Sequence, residues 1–305
     1  VTDAIRIRDL SWKAGRDFAI RDLSMRVPTG AIYGFLGPNG SGKTSTVRLL
    51  LGMMPADSGS IEVLGHAVPD QTPRALARLG YVPERLHLYG RLSVEESIRY
   101  HAAFFAGFDM AEAERLRRRF NLREGQKVSA LSKGEAGKLM MLLALSQRPD
   151  LLVLDEPTDG LDPVVRRDVL SALVEFVDSQ KATVLISSHL VHEQERICDW
   201  VGVMDAGRMV AELPMQEFRS GIKRLRVQRA PLAADALPCA LLNRSASGPD
   251  TETWVVRGWQ PEMKEWFSRA GSELRDVEDL DLEESFVEML SGARAASSGL
   301  LVEGR

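Results

Sequence analysis

Gly37-Pro38-Asn39-Gly40-Ser41-Gly42-Lys43-Thr44 fits G-x-x-x-x-G-K-[ST] at every fixed position. Such a stretch holds a nucleoside triphosphate with backbone amides, one ammonium (Lys43) and one hydroxyl aimed at magnesium (Thr44). The glycines let the backbone curl around phosphate oxygens, and a helix starting there points free N–H groups and its positive dipole end at them. Gly37 to Ser45 are therefore the expected nucleotide contacts. Further on, the apolar run Leu151–Leu154 leads into Asp155-Glu156, two carboxylates at the carboxyl end of a buried strand. Asp155 suits Mg2+ together with Thr44, and Glu156 suits the polarisation of an attacking water.

These groups need elements to hold them. Ala31–Leu36 reads as a buried strand and Thr44–Leu51 as a helix, which is the strand, loop, helix context that the phosphate loop requires. Before it, Ile5, Ile7, Phe18, Ile20, Leu23, Met25 and Val27 alternate with polar residues in two antiparallel strands. Ile61–Leu64, Leu79–Pro83, Leu151–Asp155 and Ala182–Ser187 read as further strands. A helix over Val164–Val177 lies between the last two. From Arg91 to about Gln147 the pattern is helical, opened by the capping box Ser93-Val94-Glu95-Glu96. Within it Tyr100, Phe104 and Phe105 are expected in the core. Buried apolar strands alternating with helices imply an α/β fold with a mainly parallel sheet.

Past Met215 these signals weaken. Leu225–Gln228 and Thr253–Val256 read as strands, and Pro261–Arg269 and Leu282–Leu290 as helices. The expected division is a nucleotide-binding domain over 1–215 with a helical subdomain at about 85–147, a small α+β unit over 216–291, and a tail over 292–305 without fixed structure.

Composition narrows the function. The 305 residues carry a net charge of -4, which argues against an electrostatic nucleic-acid binder. The basic run Arg115, Arg117, Arg118 and Arg119 sits among acidic residues in helical spacing and reads as a solvated face. Cys198 and Cys239, far apart, give neither a disulfide framework nor metal spacing. No apolar run approaches the roughly twenty residues of a spanning helix, and no signal pattern opens the sequence. The expectation is a soluble, cytoplasmic chain.

Together these residues resemble the ATP-binding subunit of an ABC transporter. The resemblance runs from about residue 3 to residue 212. It rests on the phosphate loop, Leu131-Ser132-Lys133-Gly134-Glu135 as a variant of LSGGQ, Asp155-Glu156-Pro157-Thr158, Gly160-Leu161-Asp162-Pro163 and Ser188-His189. It implies a head-to-tail dimer of two copies or two related subunits, with ATP on one phosphate loop covered by the partner's signature segment. Ser132 and Gly134 would then reach the terminal phosphate across the interface, and Asp162 would couple the two sites. By similarity His189 contacts that phosphate and links it to Glu156, and Glu84 stands where the family often has glutamine at the metal or water. Lys133 and Glu135 depart from glycine and glutamine, which weakens the cross-interface contact unless Lys133 offers a cation to phosphate. The position nearest the family's adenine-stacking aromatic is Ala14. Trp12 and Phe18 are the substitutes, with Trp12 expected to matter more.

The function implied is ATP hydrolysis with Mg2+, driving a separate membrane permease in an export-type transporter, with the chain peripheral on the inner face of the membrane. The segment Asn121-Leu122 to Ser132-Lys133-Gly134 and the ending Asp281–Phe286 resemble that branch. Two alternatives stay open: a soluble ATPase of the same family acting on nucleic acid or ribosomes, and an importer-type ATPase with a regulatory C-terminal module.

Overall fold

A computed structural model describes residues 2–15, 18–85, 87–229 and 237–297. Strands β1 (Asp3–Ala14) and β2 (Phe18–Pro28) form a hairpin whose inward residues alternate as expected, with Ile5, Ile7, Leu23 and Met25 all buried. Strand β3 (Ile32–Leu36) leads through the phosphate loop into helix α1 (Lys43–Leu50). After β4 (Ser58–Val63), β5 (His66–Val68) and the short helix α2 (Thr72–Leu76), β6 (Leu79–Val82) returns to the centre. Strand β4 begins at Ser58, three residues before the strand expected from Ile61, because Ser58 pairs with Ser11 toward the far end of β1.

Three helices follow: α3 (Val94–Ala102), α4 (Met110–Arg119) and α5 (Lys133–Ser146). The box at Ser93 and Glu96 is formed in both directions. The arginines of α4 are each paired with carboxylates: Arg115 with Glu112, Arg117 and Arg118 with Glu114, and Arg119 with Glu175. Next come β7 (Leu151–Asp155), α6 (Pro163–Gln180), β8 (Thr183–Ser188), the single turn α7 (Val191–Gln194), β9 (Trp200–Asp205) and β10 (Arg208–Pro214).

The main sheet has the order β10-β9-β3-β8-β7-β6, with β9, β3, β8, β7 and β6 parallel and β10 antiparallel at the edge. Both faces are covered, which is why β3, β7 and β8 are buried at every residue and carry mostly apolar side chains, with polar residues at the ends of β7 and β8. The strand period sorts side chains between two cores. Ile32, Leu152, Leu154, Val184 and Ile186 pack with the helices α5 and α6, whereas Tyr33, Phe35, Val153 and Leu185 pack under the sheet β2-β1-β4-β5.

The C-terminal part comprises α8 (Met215–Ser220), β11 (Ile222–Gln228), β12 (Ala240–Gly248), β13 (Thr251–Arg257), α9 (Lys264–Arg269), β14 (Glu273–Asp279) and α10 (Leu282–Ser297). Its antiparallel sheet, β12-β13-β11-β14, encloses Trp254 and Phe267 in a core of its own, while Phe286 and Met289 of α10 join the large core.

Two expectations are corrected. Tyr100 and Phe104 are 45% and 67% exposed and Phe105 is half-buried, because the inward face of α3 is supplied by Val94, Ser97 and Ile98. Helix α10 continues to Ser297, so residues 292–297 are helical where a structureless tail is expected. Residues 298–305, like Arg16, Asp17 and Leu86, lie outside the described residues.

Candidate nucleotide-binding and catalytic site

Sheet register brings the site together. Leu36 at the end of β3 lies opposite Ser188 of β8, and Ser187 lies opposite Asp155 of β7. The phosphate loop, the Asp155-Glu156 pair and His189 thus emerge at the carboxyl edge of three neighbouring parallel strands, where open α/β sheets hold ligands.

The loop is shaped from behind. A Cβ on Gly37 would lie 2.3 Å from the Met204 carbonyl oxygen and 2.6 Å from Ser41 Oγ, so this position admits no side chain. Gly42, at φ 115, caps α1 without a side-chain bond, and the first turn of α1 holds no acidic residue. The leading N–H groups and the positive dipole end are therefore left for an anion. Lys43, 5% exposed, donates from Nζ to the Gly37 carbonyl at 2.7 Å and stands 3.3 Å from Glu156 Oε1.

Glu156 takes a left-handed backbone conformation, φ 48, an uncommon geometry for a residue with a side chain. Its N–H is held by Ser187 Oγ at 3.0 Å. Its Oε2 lies 2.9 Å from His189 Nδ1, and since an ionised carboxylate can only accept, the imidazole proton on that side belongs to Nδ1. Asp155, 1% exposed, accepts at Oδ1 from Ser187 Oγ at 2.6 Å and from Thr44 Oγ1 at 3.2 Å. Its Oδ2 is buried with no protein partner. Burial, and then the negative charge of Asp155, push the nearby Tyr81 phenol up to about 12, so it stays protonated.

A cavity of about 530 Å3 is lined by Asn39 to Ser45, Glu84, Glu156, Ala14 and Phe18. Phe18, the first residue of β2, pairs with Ala14 at the hairpin tip, and its ring would lie 2.8 Å from a Cβ on Gly42. Trp12 does not line the cavity. It pairs with Ile20 further back on the hairpin and packs against the core under the sheet, so the expectation that favoured Trp12 over Phe18 is corrected.

The remaining predicted residues lie elsewhere. Ser132 caps α5 in a box with Glu135, accepting from the Glu135 N–H at 3.2 Å and donating its own to Oε2 at 2.8 Å. Gly134 faces Val165. Asp162 caps α6, with Oδ1 3.0 Å from the N–H groups of Val164 and Val165. None of the three lines the cavity. Lys133 pairs with Asp159 at 3.3 Å on the same chain.

Two groups were not legible beforehand. Ser187 carries no signal beyond its place at a strand end, yet its hydroxyl holds both Asp155 and the Glu156 backbone. Thr158 donates to the buried Glu193 at 2.9 Å, and Arg166 pairs with the same carboxylate. That network ties the segment after Glu156 to the turn after His189.

A parallel sheet with a phosphate-binding loop, a buried aspartate beside its threonine and a glutamate linked to lysine and histidine define a nucleoside triphosphatase of the phosphate-loop class. Comparison with known proteins narrows the class. The ABC transporter family pattern matches residues 20–159. The Nod factor export ATP-binding protein I of Cupriavidus pinatubonensis is 37% identical over 218 residues, covering 70% of this chain and 66% of that protein. The counterpart in Cupriavidus metallidurans is 36% identical, covering 70% and 71%, and the ABC transporter ATP-binding protein YtrB of Bacillus subtilis is 32% identical, covering 70% and 73%. A solved ATP-binding subunit of an ABC transporter superposes with a TM-score of 0.63 at 30% identity, over 71% of this chain and 92% of that one. The cbiO1 subunit of Clostridium perfringens shares the fold, with a TM-score of 0.61 at 21% identity over 71% of this chain and 90% of that one. The chain belongs to the ATP-binding proteins of ABC transporters, a family of ATP hydrolases.

Proposed function

We propose that this chain is the energy-supplying subunit of an export-type ABC transporter, working as a head-to-tail pair that encloses ATP and drives a separate permease. The observation that carries the reading is the separation of two half-sites on one chain. Lys43 and Glu156 line the cavity and His189 is held against Glu156 from behind it, whereas Ser132 and Gly134 sit at the start of α5 and neither line it nor touch a residue that does. A second copy, or a related subunit, is what would bring the signature segment over the phosphates. We divide the chain accordingly into an ATP-binding domain over 1–215, with a helical subdomain at about 85–147, and an accessory unit beginning at 216.

Magnesium fits the residues present. The orphaned Asp155 Oδ2 and the Thr44 hydroxyl offer hard oxygen ligands, and Glu84 lines the cavity together with Thr44, a small donor set that suits an ion that keeps several waters and binds through phosphates. When bound, it would neutralise charge on the transferred phosphoryl group. Lys43 and the loop amides hold the phosphates, Glu156 orients and polarises the attacking water, and His189, held by Glu156, stabilises charge at the terminal phosphate.

For the permease, the supporting feature is an aromatic surface. Tyr89, Tyr100 and Phe104 are 64%, 45% and 67% exposed, and their rings meet edge to face at 5.2 and 5.1 Å. Exposed aromatics clustered in this way suit burial against a partner helix. Among the described residues no helix is long and apolar enough to cross a membrane, so in this reading a second chain carries the spanning part and holds this one at the inner face. Export follows the relatives named for it and stays the proposed direction.

The test is purification from solubilised membranes. Recovery with an integral membrane protein, and dimerisation that depends on ATP, is the expected result. Recovery with ribosomes or DNA alone would transfer the chain to the soluble branch of the family.

A further inference from the structure

The C-terminal helix reaches the rear of the phosphate loop. Residues 204–207, the end of β9 and the turn into β10, are the wall on which the loop rests. The Met204 carbonyl crowds Gly37, the Met204 side chain crowds Gly42, and the Gly207 N–H donates to the Ser41 carbonyl at 2.9 Å. Asp205, within that wall, is 7% exposed, and its carboxylate is gripped by Arg294 of α10, with Nε 2.6 Å from Oδ2 and Nη2 3.0 Å from Oδ1. The grip is set by packing. A Cβ on Gly292 would lie 1.9 Å from the Leu242 carbonyl oxygen, so the last turns of α10 rest directly on β12 in one register.

We propose that Arg294 is a positioning residue for ATP binding: it holds Asp205, and through it the β9–β10 turn, against the phosphate loop. The physical reason is the cost of a buried carboxylate without its cation. With Arg294 removed, Asp205 completes its hydration by drawing outward toward the solvent that Arg294, whose side chain is 61% exposed, had covered, and that shift of the turn takes Met204 and Gly207 away from Gly37, Gly42 and Ser41. The loop then loses the backing that keeps its amides converged on phosphate. The accessory unit in this way acts on nucleotide affinity from outside the ATP-binding domain proposed over 1–215.

The inference rests on ATP being the loop's ligand, and one titration series on the full chain separates the two. Wild-type protein that neither binds nor hydrolyses ATP would refute the functional reading itself. With wild-type activity established, Arg294→Ala is expected to raise KM for ATP about five- to tenfold with kcat within twofold. Adding Asp205→Asn, which removes the charge that needs a partner, is expected to return KM to within twofold of wild type, and Arg294→Lys is expected to fall between. A role in stability alone would lower Tm and active fraction without this KM shift or its rescue. Unchanged KM in Arg294→Ala, or a raised KM that Asp205→Asn does not recover, overturns the proposal.

Discussion

Glu156 is shared between two partners: its Oε2 lies 2.9 Å from His189 Nδ1 and its Oε1 lies 3.3 Å from Lys43 Nζ. One carboxylate thereby links the ends of β7 and β8 to the start of α1.

Glu156→Gln keeps the shape of this group and removes its basicity. ATP affinity is expected to stay within about twofold, while hydrolysis falls by roughly 10²-fold or more, the usual worth of a positioned general base. Equilibrium ATP binding and phosphate release, measured on the same preparation, check it. A variant that turns over at the wild-type rate removes Glu156 from the catalytic role.

His189 depends on the same contact for its tautomer. His189→Ala is expected to reduce kcat by about 10²-fold with a smaller effect on KM, because a group that acts on developing charge contributes mainly in the transition state. Steady-state kinetics read the split. A change in KM alone would place the histidine in ground-state binding.

At the hairpin end of the cavity, Phe18 is a lining residue and Trp12 is not. Phe18→Ala is expected to weaken ATP binding by about 1 kcal/mol or more, the low end of aromatic–base stacking energies. Trp12→Ala should leave affinity within a factor of two. Equal titration curves for the two variants would show that neither ring stacks.

The aromatic surface gives a readout independent of ATP. Tyr100→Ser with Phe104→Ser removes exposed rings, so stability is expected to change by less than about 0.5 kcal/mol per site. Co-purification with the proposed permease should fall sharply while ATP binding by the isolated chain is unchanged. Undiminished co-purification would place the docking surface elsewhere.

The cap of α5 should respond to acid. The Ser132 backbone N–H, more than the Ser132 hydroxyl, holds Glu135 below its ordinary value against the opposing pull of burial. Because the folded value is the lower one, this contribution to stability is complete above the unfolded value and is lost as pH falls through the folded one. Thermal unfolding followed from pH 5 downward should therefore show a shallower acid decline in Glu135→Gln than in wild type. Identical acid limbs would mean that the carboxylate adds nothing beyond its shape.

The chemistry was readable because it is local. Gly37 to Thr44 must be contiguous to wrap phosphate, and the apolar run into Asp155-Glu156 announces a buried parallel strand by composition alone. The capping box at Ser93 is legible for the same reason, since a helix end is satisfied within four residues. Phe104 shows where such reasoning stops: its spacing from Tyr100 indicates a helix face, but whether that face meets a core depends on what else folds nearby.

The amino-acid order by itself determined the phosphate loop, the paired carboxylates, the strands that carry them and hence the class of reaction. Tertiary structure alone decided which distant residues share the site. Strand register set Ser187 against Asp155, hairpin pairing put Phe18 rather than Trp12 at the cavity, and α10 brought Arg294 to Asp205 across 89 residues of sequence. Contacts of that separation leave no period or motif in a chain, because they are fixed by how whole elements pack and not by the spacing of their residues.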